Sequence, residues 1–498
     1  MRILVASMVE LGVDEAYYFT YAVQPDWNHF DHPPLVGIFM RLFTLNLHWV
    51  NDVSVRLPAI VGAAANTWLI ALCGKMIRGD RAGLIAAILY NTSLYTGIIA
   101  GLFILPDSVQ VVFWLVALYT MLKLLKNPEP AFQGRQFLWL GLFIGLAVMS
   151  KVHGVFLWLG FGGYIIFHQR NLLKNPFLYL SGILTLLIVS PIVLWNFDNQ
   201  FISWQFHSAR VEANNGIDLR SFLLTKLGQI AYNNPVNVLI VALGLITLFK
   251  WSNFSISSTA KVLLWCSLPI ILATSLVSLL RPTLPHWSGP GFVGLTLIST
   301  AYLDFKMPSE VDFKFPSGLL RAAGVLMAIV VLTGPLLINY YPGTLGKQSG
   351  LETGSGDFTL DMYGWKALLP VFEKIRADDI RLGRMSPDAP LLTHKWFPGG
   401  HLYYYLAYPL HMRLVGVGDV YDLHKFSWLN ALNGTGAQGT DAYFIVPSNY
   451  FTDPRGLYAP DFQKIEGSRR IVQKRSGRVA RYWYVYRLKN ARNQLGGI

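Results

Sequence analysis

Charge is scarce in this chain. Of 498 residues, 14% are Asp, Glu, Lys or Arg and 53% are hydrophobic, where a soluble protein carries roughly a quarter charged residues. Long apolar runs take the place of that charge, which excludes an ordinary soluble domain and implies an integral membrane protein. Cysteine is scarcer still. Cys73 and Cys266 both lie within apolar runs, which excludes a disulfide framework and a cysteine-built metal cluster. No Walker loop, HExxH, GxSxG or Cys-rich zinc pattern occurs, so no nucleotide cofactor is expected. Repeats of fixed period and low-complexity tracts are also missing. The net charge of +13 then reads as loop bias and attraction to membrane lipid, and not as nucleic-acid binding.

What is present is a series of apolar runs. Candidate spans fall at about 55–77, 82–104, 107–125, 136–150, 152–168, 176–196, 229–249, 261–280, 286–304 and 318–340. With a short first one, that is about eleven. The pair 136–150 and 152–168 is either a hairpin turning at Ser150-Lys151 or one long broken helix. Only Met1 to Val13 precede Asp14, too few for the roughly 20 apolar residues of a full span. No small-x-small cleavage site follows Ile3 to Val9. The expectation is a shortened first span, with an upstream start codon left open.

Placing the N-terminus in the cytoplasm puts Arg78, Arg81, Lys123, Lys126, Arg135, Arg170, Lys174, Lys250, Lys261, Lys306 and Lys314 in cytoplasmic loops. The other face holds fewer basic residues, in agreement with the positive-inside rule. Asp14, Asp31, Asp107, Lys151 and the loops 14–54, 197–228 and 281–290 then share the external face. An all-α polytopic bundle is expected over 1–340, a linker over 341–360 and a soluble external α/β domain over 361–498. Within that domain Tyr363 to Arg376 has helical spacing, and Asp441 to Pro447 and Arg478 to Arg487 read as strands.

Carboxylates and cations at a membrane boundary are costly and usually mark a site. Asp14 and Glu15 end an apolar run; they are either a solvated helix-end pair or a general base raised by partial burial. Asp31-His32-Pro33-Pro34 is a turn, or a rigid loop presenting a carboxylate and an imidazole to an anion or metal. Asp107 follows Pro106 where a helix would start and suits a capping role as well as a site role. Lys151 is flanked by apolar residues. Its expected anionic partner is Asp107 or a lipid phosphate, unless it snorkels at a hairpin tip. His207 and Arg210, three apart, would share one helix face and suit a metal or phosphate. Arg281 and His286 form a similar, weaker pair.

The motifs VDEAYYFTYA, FDHPPLVG, LPDSVQVVFWLVALY, GLAVMSKVHGVFLW, SPIVLWNFDNQFISWQF and RPTLPHWSGP, in this order, resemble the C-type membrane glycosyltransferases. The likeness is to bacterial members of the protein O-mannosyltransferase and aminoarabinose transferase group, and DMYGWKALLPV and VYDLHKFSWLN extend it into the C-terminal region. The resemblance implies an integral inner-membrane enzyme. It would transfer a hexose or pentose, with inversion, from a polyprenyl-phosphate donor to a protein, lipid or glycan acceptor on the periplasmic or extracellular face. The acidic residue of the first external loop falls on Asp14, with Glu15 beside it, as the base. A Glu-Lys pair of the aminoarabinose transferases corresponds to Asp31 and His32. The Glu is a metal ligand there, which makes a divalent metal the candidate cofactor, with Asp31 and His207 as its ligands. The Lys meets lipid phosphate there; here it is His32, and Lys151 and Arg210 could supply the missing charge. The acid at Asp107 also occurs in the family, near the site. Two rival readings are a polyprenyl-lipid or solute transporter, which would need internal symmetry that is not found, and a non-catalytic glycan-binding relative.

Overall fold

The computed structural model describes residues 1–211, 216–250, 258–306 and 318–496. Lys314 and part of the 197–228 loop lie outside the described residues. The chain divides into two compact units that do not follow chain order. One comprises Trp27–Phe39 and Arg56–Val330; the other comprises Met1–Asp26, Met40–Val55 and Val331–Ile498.

The first unit is a helical bundle, and the protein is an integral membrane protein. Among the described residues of the whole chain, six helices are long and apolar enough to cross a membrane: Asp52–Arg78, Pro106–Lys126, Pro130–Ser150, Pro176–Asp198, Ser258–Ser278 and Gly318–Tyr340. A seventh is reached if Leu219–Tyr232 and Pro235–Leu248, bent by 96°, count as one span. The expected eleven are therefore not all helices of full crossing length, because several apolar runs break. The 82–104 run yields a helix over Asp80–Thr92, then a π-turn at Tyr95–Ile99. The 229–249 run turns at Asn234, whose φ is +64°, just before Pro235. The run through Lys151 also breaks. Lys151 is extended, and a 3-10 turn at Val152–Gly154 precedes the helix Val155–His168.

Proline opens three of the spans at their first turn, at Pro106, Pro130 and Pro176, where its missing N–H costs nothing. Small residues let these helices close on one another. A Cβ added at Gly141 would sit 2.3 Å from the carbonyl oxygen of Ser181.

The second unit is built on a six-stranded sheet: β1 (Leu391–Thr393), β2 (Leu414–Gly416), β3 (Ala442–Pro447), β4 (Phe462–Ile465), β5 (Arg469–Arg475) and β6 (Arg478–Ala491). The order is β2-β1-β3-β6-β4, with β5 also paired to β6. β1 is parallel to β2 and β3, while β6 is antiparallel to β3, β4 and β5. The strands expected at 441–447 and 478–487 are β3 and β6, and the expected helix is Leu368–Arg381. β5 and β6 join through Ser476-Gly477, both with positive φ, the geometry of a tight hairpin turn. The stretch 341–360 is tied to this sheet. Arg475 and Asp357 form an ion pair at 2.9 Å with both side chains fully buried, and Ser448 donates to the carbonyl of Thr353.

Candidate functional site

In the helical unit, four separate segments bring their polar residues together. Asp107 enters in the first turn of Pro106–Lys126, whose N-cap is Leu105, so its carboxylate does not cap the helix, and Lys151 enters at the break after Pro130–Ser150. They form a buried ion pair, Nζ to Oδ2 at 2.7 Å, each side chain at most 4% exposed. The Tyr95 hydroxyl donates to the other Asp107 oxygen at 3.1 Å, and Gln110 Nε2 donates to the Lys151 carbonyl at 2.8 Å. Gly289 makes room for this: a Cβ there would lie 2.3 Å from the Tyr95 ring.

The loop carrying Asp31 and His32 is fastened to the helix Ile202–Ala209. His207 Nε2–H donates to the Asp31 carbonyl at 2.8 Å. Ser203 donates to the His29 carbonyl at 2.9 Å, and Asn28 donates to Ser203 at 3.1 Å. The His32 and His207 rings lie 6.1 Å apart. Arg210, exposed at the end of that helix, rests over the rings of Phe206 (4.8 Å) and Trp287 (5.9 Å).

The electrostatics are those of a cationic hollow. Burial, then the charges of Lys151, His207, His153 and Arg210, holds the His32 imidazole well below its ordinary value. Burial also lowers His207, against the opposing pull of Asp31. Both rings are therefore neutral near neutral pH; His207 spends its one N–H on the Asp31 carbonyl, so the imidazole N–H the hollow can offer is that of His32. Lys151 is committed to Asp107, and among the described residues no ion pair engages Arg210. Such an arrangement can receive an oxyanion through ammonium, guanidinium and imidazole donors.

His32, Asp107, Lys151, His207 and Arg210 were thus expected and are brought together with Asp31. Arg281 and His286 do not act as a pair: Arg281 donates to the Ala209 carbonyl, whereas His286 faces the Tyr232 ring at 6.2 Å. Two members were not expected. His153 stands within electrostatic range of Lys151 and Asp107 and 5.9 Å from the Trp287 ring. Tyr95 was hidden in an apolar run. The one available signal for His153 was its place two residues after Lys151.

Residues 31–195, about a third of the chain and including Asp31, His32, Asp107 and Lys151, match the family model for dolichyl-phosphate-mannose-protein mannosyltransferases. No curated protein matches the sequence. Among solved structures the chain is similar to ArnT from Cupriavidus metallidurans in the apo state, at 14% identity and TM-score 0.62. It is equally similar to ArnT bound to undecaprenyl phosphate, at 15% identity and TM-score 0.62; each alignment covers 97% of this chain and 95% of the other. The fold is that of these ArnT structures. The resemblance first seen in the motifs holds in the family pattern of residues 31–195 and in the fold of the whole chain.

In this fold, Asp14 and Glu15 belong to the second unit, in the first turn of the helix Val13–Val23. Glu15 is buried, and its carboxylate accepts the Gly12 N–H at 2.8 Å, closing the helix end. Asp14 is exposed. Of the two carboxylates, only Asp14 is open to solvent.

The donor set does not fit a bound metal. Among the described residues no group of three His, Cys, Asp or Glu side chains is placed to hold an ion. His207 spends Nε2 on the Asp31 backbone, not on a ligand shared with its carboxylate, and the neighbours Lys151 and Arg210 would repel a cation.

Proposed function

We propose that this protein is an inverting glycosyltransferase that takes a sugar from a polyprenyl-phosphate donor and moves it to a protein, lipid or glycan acceptor on the external, periplasmic face of the inner membrane. The observation that carries the reading is the cationic hollow of Lys151, Arg210, His32 and His207, within a chain whose residues 31–195 match a lipid-phosphate-sugar transferase family. ArnT, an aminoarabinose transferase of the same fold, binds undecaprenyl phosphate.

Donor phosphate is received by the Arg210 guanidinium, by the two Lys151 N–H bonds not spent on Asp107, and by the N–H of the neutral His32 imidazole, which His207 helps position through its bond to the Asp31 carbonyl. The acceptor oxygen attacks the anomeric carbon as the bond from that carbon to phosphate oxygen breaks. Polyprenyl phosphate leaves as the anion, so little acid catalysis is needed. Lys151 binds the developing charge more strongly than the ground-state phosphate, whereas Arg210 binds both alike. Asp14, the exposed carboxylate, takes the acceptor proton, and Glu15 fixes the helix that carries it. General-base assistance of this kind contributes about 10²–10⁴-fold.

The test is transfer of radiolabelled sugar from a panel of polyprenyl-phosphate donors, using membranes that carry wild type or Asp14→Asn. Because Asp14 is exposed, the variant should fold normally and lose at least about 100-fold in rate. Wild-type rates in the variant would remove Asp14 as the base. No donor consumed by well-folded wild type would turn the assignment toward transport or glycan binding.

A further inference from the structure

The β5–β6 hairpin carries positive charge that no acid on it balances. From Arg469 to Arg478 the sequence reads RRIVQKRSGR. Arg475 is buried against Asp357, but Arg469, Arg470, Lys474 and Arg478 are exposed. Among the described strands β5 pairs with β6 alone, so these cations stand on a sheet edge.

That edge is bonded to the end of a membrane helix. Ser476 Oγ donates to the Tyr340 carbonyl at 2.7 Å. Arg475 donates to the carbonyls of Ile338 (3.0 Å) and Gly343 (2.9 Å). The first two are among the carbonyls that a helix end leaves without an internal partner. The helix Gly318–Tyr340, 23 residues long, is a crossing helix, and Tyr340 in its last turn is 63% exposed, as an interfacial anchor would be. The hairpin is therefore held where the chain leaves the hydrocarbon. Leu351 (60% exposed) and Phe358 (71%) project from the segment that the same Arg475 pins down. Residues 471–474 of β5 also wall a cavity of about 460 Å3 with Met8, Asn339 and Tyr363. Glu10 in that wall accepts the backbone N–H groups of Trp365 and Lys366, and Lys366 and Lys474 line the same cavity.

We propose that this hairpin and its cavity bind the phosphate headgroups of anionic phospholipid in the surrounding bilayer. Juxtamembrane cations attract an anionic surface additively and over about a Debye length; a zwitterionic headgroup offers phosphate without the net charge. Full-length protein would be reconstituted in nanodiscs of equal phosphatidylglycerol and phosphatidylcholine, extracted in mild detergent, and its retained lipid measured by mass spectrometry. Wild type should retain phosphatidylglycerol at about fourfold or more over the bulk ratio. The variant carrying Arg469→Gln, Arg470→Gln, Lys474→Gln and Arg478→Gln should fall to the bulk ratio. A milder variant, Lys474→Gln with Arg478→Gln, should lie between them and serves if the fourfold change impairs folding. Bulk-ratio lipid on wild type, or full enrichment on either variant, would overturn the proposal. The readout is lipid, so it stands or falls independently of sugar transfer.

Discussion

The molecule buries an ion pair in each of its two units, and the two are built differently. Arg475, in the sheet unit, makes four hydrogen bonds from its guanidinium: to Asp357, to the carbonyls of Ile338 and Gly343, and to the Thr359 hydroxyl. Lys151, in the helical unit, has one side-chain acceptor among the described residues, Asp107, and lies within electrostatic range of His32 and His153. A buried charge that is extensively hydrogen-bonded supports structure; one that is half-satisfied and surrounded by further donors is poised for an anion. Burial alone does not distinguish the two cases, whereas the count of unused N–H groups does.

The comparison is broken most severely at Arg475. Arg475→Met leaves Asp357 buried without its cation, a loss of about 3–5 kcal/mol, and frees two backbone carbonyls as well. Folded protein should largely disappear from size-exclusion profiles in detergent. Near-normal stability would show that the pair does not hold the 341–360 segment to the sheet.

Lys151 sharpens the contrast, because here stability and function should separate. Lys151→Met alone strands Asp107 and lowers thermal stability. Combined with Asp107→Asn, both charges are gone, and stability should return to within about 1 kcal/mol of wild type. Sugar transfer should stay down by about 100-fold or more, the usual loss when a donor to developing charge is removed. A double variant that regains transfer along with stability would make the pair purely structural.

Part of this was legible in the sequence. A lysine inside an apolar run needs an anion, and Asp107 was named as one of its two candidate partners 44 positions away. β3 and β6 were legible from their β-branched and aromatic content. β4 and β5 were not, since FQKI and RRIVQKR are short, basic edge strands without a clear apolar face. β1 and β2, three residues each, carry too little pattern to read. Hydropathy counted apolar runs as spans; it marked a break at Ser150-Lys151, which the structure shows, but could not see the chain turn at Asn234. His153 escaped because it lies in a 3-10 turn, where helical spacing does not apply.

Arg210 tests the hollow more gently. It is exposed, so Arg210→Gln should fold normally. Loss of one charged contact to phosphate should raise the donor KM about tenfold with kcat nearly unchanged, and should reduce the sensitivity of KM to salt. An equal fall in kcat and kcat/KM would instead place Arg210 on the departing charge alone.

The smallest effect expected is on pH, and its sign follows from burial. His32 and His207 have folded-state values below the ordinary 6.5. The unfolded chain thus binds more protons as the pH falls below about 6.5, and the stability these neutral rings contribute, complete above that value, is lost progressively as the pH drops toward their folded values. A bound phosphate reverses the argument locally, because an adjacent anion favours the imidazolium. Donor lipid should therefore protect the protein more strongly at pH 5.5 than at pH 7.5 in thermal unfolding, and His32→Gln should diminish that difference while sparing the sheet unit. Equal protection at both pH values would mean that the imidazoles frame the hollow without meeting the phosphate, leaving Lys151 and Arg210 to hold it.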